Sequence, residues 1–145
     1  MICRAILVSA VLGAAPVMAE DLIAAHGACA EAGRDSAACS EIITLHCLDT
    51  TWNLRTLTAC RAGMARALET EAERLTEVLA RQGERARAVE IARGADRVTE
   101  EACATLAGRM ASPRSEDHDI RCALLRAHVT VYHLRRRLAE VAPKI

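Results

Sequence analysis

The clearest hydrophobic pattern lies near the end of the chain, between Ile120 and Val141. Its apolar positions recur at alternating intervals of four and three residues: Ile120, Leu124, Ala127, Val131, Leu134, Leu138 and Val141. Neither Gly nor Pro interrupts the sequence from Cys122 to Val141. The alternation places these side chains on one face and is typical of a helix packed against other helices. It predicts a helix from about Ile120, with Val131 and Leu134 buried in the middle of the seam.

A second amphipathic helix is predicted from about Leu57. Its apolar face comprises Met64, Leu68, Ala72, Leu75 and Leu79, and its other faces are rich in charged residues. Gly83 interrupts this pattern. Because a mid-helix Gly costs about 1 kcal/mol relative to Ala, a kink or a short turn is expected near Gln82. The apolar stripe resumes at Val89 and ends near Met110, before a polar loop.

Two shorter helices are predicted before the long ones. The first covers residues 20–32. The second ends near Leu48, with Ser36 or Ser40 as the residue that caps its free amides, and a turn containing Trp52 follows. No segment alternates between apolar and polar residues as a half-buried strand does. The pattern predicts an all-α protein with three longer helices plus one or two short N-terminal helices.

Residues 1–19 have the pattern of a secretory signal peptide. Arg4 supplies the positive charge, residues 6–17 are apolar or small, and Val17-Met18-Ala19 fits the cleavage rule. The alternative is a membrane anchor, but a spanning helix needs about 20 apolar residues and this run is shorter. The mature chain is therefore expected to begin at Glu20. We expect it to be periplasmic or secreted, with no stable membrane insertion.

Removal of the signal peptide leaves six cysteines: Cys29, Cys39, Cys47, Cys60, Cys103 and Cys122. An even number in a small secreted chain indicates disulfides, and six cysteines allow fifteen pairings, among which the sequence alone does not choose. The chain has no Phe, so its core must be aliphatic and thin, and disulfides would compensate for that. The predicted fold is a small disulfide-stapled helical bundle.

Composition and charge exclude several classes of protein. The chain has nineteen basic and nineteen acidic residues, and the loss of Arg4 with the signal peptide leaves a net charge of −1. Such a chain has no field of one sign to attract nucleic acid. Trp52 and Tyr132 are the only aromatic residues, which is too few for base stacking. Because no nucleophile elbow, zinc-protease motif or glycine-rich phosphate loop occurs, we expect no enzyme and no cofactor.

Two pairs of possible metal ligands lie three or four residues apart: His26 with Cys29, and His118 with Cys122. These spacings place both side chains on one helix face. In an oxidising compartment the thiols are expected to pair with each other instead, so no metal site is predicted. His128 and His133 lie five residues apart and do not share a face, and both are expected at the surface or its boundary.

The cysteine order resembles that of a known family. Cys47 is followed by twelve residues, including Thr50-Thr51, and then by Cys60. After a long amphipathic helix come Cys103, eighteen further residues, Cys122 and a closing helix. This order resembles the LprI-like lysozyme-inhibitor family of small secreted helical domains. The resemblance implies three disulfides, Cys47–Cys60, Cys103–Cys122 and Cys29–Cys39, the last within an N-terminal addition. It divides the chain into a signal peptide (1–19), an N-terminal helical extension (20–46) and an LprI-like helical domain (47–145).

The family's signature side chains are only partly present. The family has Gln-Arg-x-Trp and then Arg-Asp just before the third of its cysteines. Here Arg93 stands at the first Arg position, and Glu100 supplies an acid at the Asp position. Ala95 stands at the Trp position and Thr99 at the second Arg position. The resemblance implies a secreted, non-enzymatic binding protein that occludes a lysozyme or other cell-wall glycosidase. The alternative is a structural or assembly module of the cell envelope with no lysozyme contact.

Two polar clusters are candidates for partner contacts. The polar loop at residues 112–119 contains Pro113, which restrains its backbone, and would be closed by a bond between Cys103 and Cys122. An ordinary capped loop is the alternative. The second cluster is the three cations at residues 135–137. They suit the negative end of the helix dipole, and a contact with an anion or a partner is the other interpretation. The predicted partner-binding residues of the loop are Arg114, Glu116, Asp117 and His118.

Overall fold

The computed structural model describes residues 17–108 and 116–143 of the 145-residue chain. The helices are α1 (Val17–Glu31), α2 (Ser36–Thr50), α3 (Leu54–Arg81), α4 (Arg85–Ala107) and α5 (Glu116–Val141). These ranges contain no strand, which confirms the predicted all-α fold with two short N-terminal helices and three longer ones. Most of the predicted signal peptide (residues 1–16) and the loop residue Arg114 lie outside the described ranges.

Helix α5 is the centre of the bundle and packs against all four other helices. The predicted seam is confirmed, because Val131 and Leu134 are fully buried and Ala127 is nearly so. Leu68, Leu75 and Leu79 of α3 belong to the same core, as do Ile23 of α1 and Ile43 of α2. The first two helices therefore share one core with the last three.

The starts of α2 and α3 are fixed by side-chain caps. Asp35 Oδ1 accepts a hydrogen bond from the Ala38 amide at 2.7 Å, so the expectation that Ser36 or Ser40 caps α2 is wrong. The residue preceding the helix has the extended backbone that a cap requires, whereas Ser36 already lies inside the first turn. Ser40 Oγ instead donates to the carbonyl of Ala37 at 2.9 Å.

The connection from α3 to α4 is a short turn. Gly83 has a φ of 77°, in the left-handed region that favours glycine. The amides of Gln82 and Glu84 both donate to the carbonyl of Leu79, which closes the end of α3. Of the two expected outcomes, a kink or a turn, the structure has the turn, and α3 and α4 form a helical hairpin.

The cap of α3 leads to a testable prediction. Asn53 Oδ1 accepts from the Thr56 amide at 2.9 Å. Replacing Asn53 by Ala removes this acceptor, and we expect the free energy of unfolding to fall by about 1 kcal/mol in urea denaturation. The control is Asn53→Asp, which retains a capping oxygen. Equal losses in the two variants would contradict the capping role.

Three disulfides join the helices: Cys29–Cys39, Cys47–Cys60 and Cys103–Cys122. These are the pairs implied by the family resemblance, and the structure confirms them. They link α1 to α2, α2 to α3, and α4 to α5, so every consecutive pair except the α3–α4 hairpin is bridged. Three disulfides in so small a chain are typical of a protein from an oxidising compartment outside the cytoplasm.

Candidate functional site

The predicted partner loop is only partly available for contacts. Asp117 faces α3, where its Oδ1 accepts from Thr58 Oγ1 at 3.2 Å and from Arg61 at 3.4 Å. His118 is 9% exposed, and its Nε2 lies 3.7 Å from the sulfur of Cys122. Among the described members of the predicted set, only Glu116 is exposed.

A buried pair of histidines joins α1 to α5. His26 Nε2 lies 2.5 Å from His128 Nδ1, and His128 Nε2 lies 3.1 Å from Ser36 Oγ of α2. His26 is fully buried and His128 is 4% exposed. The expectation that His128 lies at the surface or its boundary is wrong, because α1 covers the face of α5 beside the seam.

The pKa values of both histidines are lowered from 6.5 to about 4, and burial is the largest cause. Two smaller causes act on His26: repulsion between the protonated forms of His26 and His128, and the positive charge of the nearby Arg135 guanidinium. A hydrogen bond with the backbone of Ser36 raises the pKa of His128, but desolvation outweighs it, and His133 lowers the pKa as well. At neutral pH both rings are therefore uncharged, and one N–H donates from one ring to the other.

The order Ser36, His128, His26 is similar to that of a nucleophile, its base and the group that orients the base. Two features weaken a catalytic interpretation. A base with a pKa near 4 accepts a proton poorly at neutral pH. The third group is a neutral imidazole in place of the carboxylate that stabilises an imidazolium. The geometry favours a hydrogen-bond chain that holds α1, α2 and α5 together.

The arginine cluster of α5 also holds helices together. Arg135 pairs with Glu31 of α1 at 3.0 Å and with Glu71 of α3. Arg137 pairs with Glu84 at 2.9 Å and with Glu140 at 3.1 Å. The expectation that the helix dipole explains these cations is wrong, because the last turn of α5 contains no basic residue. The ion pairs with Glu31, Glu71 and Glu84 explain them instead.

A cavity of about 170 Å³ lies between α2, α3 and α5. Its apolar lining comes from Ile43, Leu124 and Leu125. Its polar lining comes from Ser40, Thr44, Arg61, Arg121 and His128. Arg61 and Arg121 both approach the carboxylate of Asp117, at 3.4 and 4.0 Å. Two guanidinium groups thus share one carboxylate beside an apolar space.

Large apolar side chains are exposed near the end of α2, in the connection that follows it and at the start of α3. We call Leu45, Leu48, Trp52 and Leu54 the Trp52 corner; their exposed fractions are 51%, 48%, 85% and 65%. A surface groove beside the corner is lined by Leu54 and Arg55 of α3 and by Glu116 and Asp117 of α5. The described part of the predicted loop therefore lies at the same end of the molecule as Leu54.

No family model, curated protein or solved structure matches the chain. Within residues 17–108 and 116–143, no group of three or more His, Cys, Asp or Glu side chains is placed to hold a metal ion. None of the five helices described is both long and apolar enough to cross a membrane.

Proposed function

We propose that this chain is a periplasmic or secreted binding protein without enzymatic activity, and that it contacts its partner through the Trp52 corner. The observation that carries this proposal is the 85% exposure of Trp52, the only tryptophan of the chain. Clustered exposed apolar side chains mark interaction sites, and tryptophan is among the residues that contribute most to binding energy.

The corner is held rigidly for a surface connection. The Cys47–Cys60 disulfide closes it, and Thr51 Oγ1 donates to the carbonyl of Cys47. Asn53 caps the following helix. Because a preorganised surface loses little conformational entropy on binding, such a corner is suited to high affinity.

The partner we propose is a lysozyme or another wall-cleaving glycosidase, in line with the resemblance to the LprI-like family. Exposed apolar side chains of this size can enter a concave substrate cleft. Such a cleft carries two carboxyl groups, and the exposed Arg55 directly follows Leu54 and supplies a cation to meet them. Glu116, on the other side of the groove, supplies an anion for a basic rim. Occlusion of the cleft would inhibit the enzyme without any chemical step.

Replacing Trp52 by Ser tests this surface. We expect the concentration needed for half-inhibition of the susceptible lysozyme to rise at least about 30-fold, the effect of losing a binding hot spot of about 2 kcal/mol. The measurement is cell-wall turbidity with lysozymes of several structural classes. The control is Val98→Ser on α4, because Val98 is also exposed, at 62%, but lies on a different helix.

The outcomes separate the alternatives. A W52S variant that inhibits as well as wild type would show that the corner is not the contact surface. The double substitution of Arg114 and Glu116 by Gln then tests the loop while leaving the internal contacts of Asp117 and His118 in place. If wild type inhibits no lysozyme, the inhibitor proposal fails and the envelope-module alternative takes its place.

A further inference from the structure

We propose that the cavity between α2, α3 and α5 binds a small apolar carboxylic acid of about six to eight carbon atoms. This ligand site is separate from the partner surface at the Trp52 corner. The proposal is carried by the coincidence of an apolar space and an excess of positive charge at its edge.

The apolar part of the cavity sets the size of the ligand. Its volume of about 170 Å³ is close to the 150 Å³ or so that accommodates a benzene molecule in a protein interior. Ile43, Leu124 and Leu125 line it on α2 and α5. A six-carbon chain or a single ring therefore fills the space, whereas a long acyl chain would project into solvent.

The charges at the cavity set the head group. Arg61 and Arg121 carry two positive charges against the single negative charge of Asp117, so one charge is left over. Both contacts are long, at 3.4 and 4.0 Å, so neither guanidinium makes the short two-bond contact that arginine forms with a carboxylate. A ligand carboxylate supplies the missing charge and acceptors for N–H groups on both arginines.

The remaining polar groups of the cavity are neutral. His128 has its Nδ1 engaged by His26 and its Nε2 engaged by Ser36. The hydroxyl of Ser40 donates to the carbonyl of Ala37 and keeps its lone pairs as acceptors. No carboxylate other than Asp117 contacts either arginine among the described residues, so the arginines alone select for an anion.

The test uses the mature protein, titrated with hexanoate and separately with hexanol while amide chemical shifts are recorded. We expect saturable shifts at residues of α2, α3 and α5 around the cavity, and weaker binding of the uncharged alcohol. In Arg121→Gln the dissociation constant for hexanoate should rise at least about tenfold, the loss expected for a charged hydrogen bond. The matched control is Arg126→Gln. Arg126 lies on the same helix but pairs with Asp96 of α4, at 3.4 Å.

Three results would overturn the proposal: no saturable shifts, equal binding of hexanoate and hexanol, or unchanged hexanoate binding in Arg121→Gln. Arg121 is 40% exposed, so the variant is expected to fold, and its amide spectrum shows directly whether it does. The titration involves neither a lysozyme nor Trp52. Its failure therefore leaves the proposed inhibitor function unaffected, and the reverse also holds.

Discussion

Replacing Leu134 by Ala is expected to lower the free energy of unfolding by about 2–5 kcal/mol. Leu134 has no exposed surface and lies in the core to which all five helices contribute. The substitution removes buried methyl groups and leaves a cavity that the stapled helices cannot readily close. Urea denaturation of the oxidised protein measures the loss, provided that the slope with denaturant is unchanged.

The control for this variant is Leu54→Ala, which makes the same chemical change at a residue that is 65% exposed. We expect a loss of less than about 0.5 kcal/mol there, because a surface truncation creates no cavity. Similar losses at Leu134 and Leu54 would mean that α5 does not contribute its seam to the core.

The fold was predictable because its main signal is periodic. The alternation that ends at Val141 is a property of neighbouring residues, and it identifies the face of α5 that carries Val131 and Leu134. Gly83 marked the end of α3 for the same local reason. The start of α5 was placed too late, since Glu116 begins the helix in a polar stretch where no apolar residue signals it.

The candidate sites were less predictable because they depend on residues far apart in sequence. His26 and His128 are 102 positions apart and meet only because α1 packs against α5. One local signal was present: His26 shares a helix face with the bonded Cys29, so that face of α1 had to be buried. No comparable signal marks Trp52, which lies in the short connection between α2 and α3 and is 85% exposed.

The cavity could not be predicted for the same reason, because its charged residues come from different helices. Arg61 lies on α3 and Arg121 on α5, and nothing in the local sequence of either indicates that both approach Asp117. Charged residues on an amphipathic helix are usually solvated, and Arg61 is an exception, with 15% of its side chain exposed. Only the packing of α3 against α5 brings the two cations together beside an apolar space.

The buried histidines lead to the second large prediction, a loss of stability in mild acid. Both have pKa values near 4 in the folded protein, against about 6.5 in the unfolded chain. The unfolded state therefore binds more protons between these values, so stability rises with pH in this range. The contribution is fully present above about pH 6.5 and is lost as the pH falls toward 4. It is on the order of 3 kcal/mol for each histidine.

Arg135 adds to this loss of stability in acid, because its positive charge lies near His26 and opposes the protonation of that ring. The carboxylates contribute in a lower range. Glu71 has a pKa lowered below 4.5, first by its hydrogen bond from Arg74, and its stabilisation is lost as the pH falls through that lowered value. Between about pH 6.5 and 5 the slope of stability with pH is therefore expected to come mainly from His26 and His128, with a smaller contribution from His133, whose pKa burial also lowers.

The measurement is the free energy of unfolding in urea at intervals from pH 7.5 to 4.5. In wild type the slope between pH 6 and 5 should approach two protons, about 2.7 kcal/mol per pH unit. His26→Gln removes one titrating ring and should roughly halve the slope, whatever it does to stability at pH 7.5. His46→Gln on α2 is the control, because His46 makes no side-chain hydrogen bond to the pair. A slope unchanged by His26→Gln would contradict the prediction, since it would mean that the buried pair does not account for the acid sensitivity.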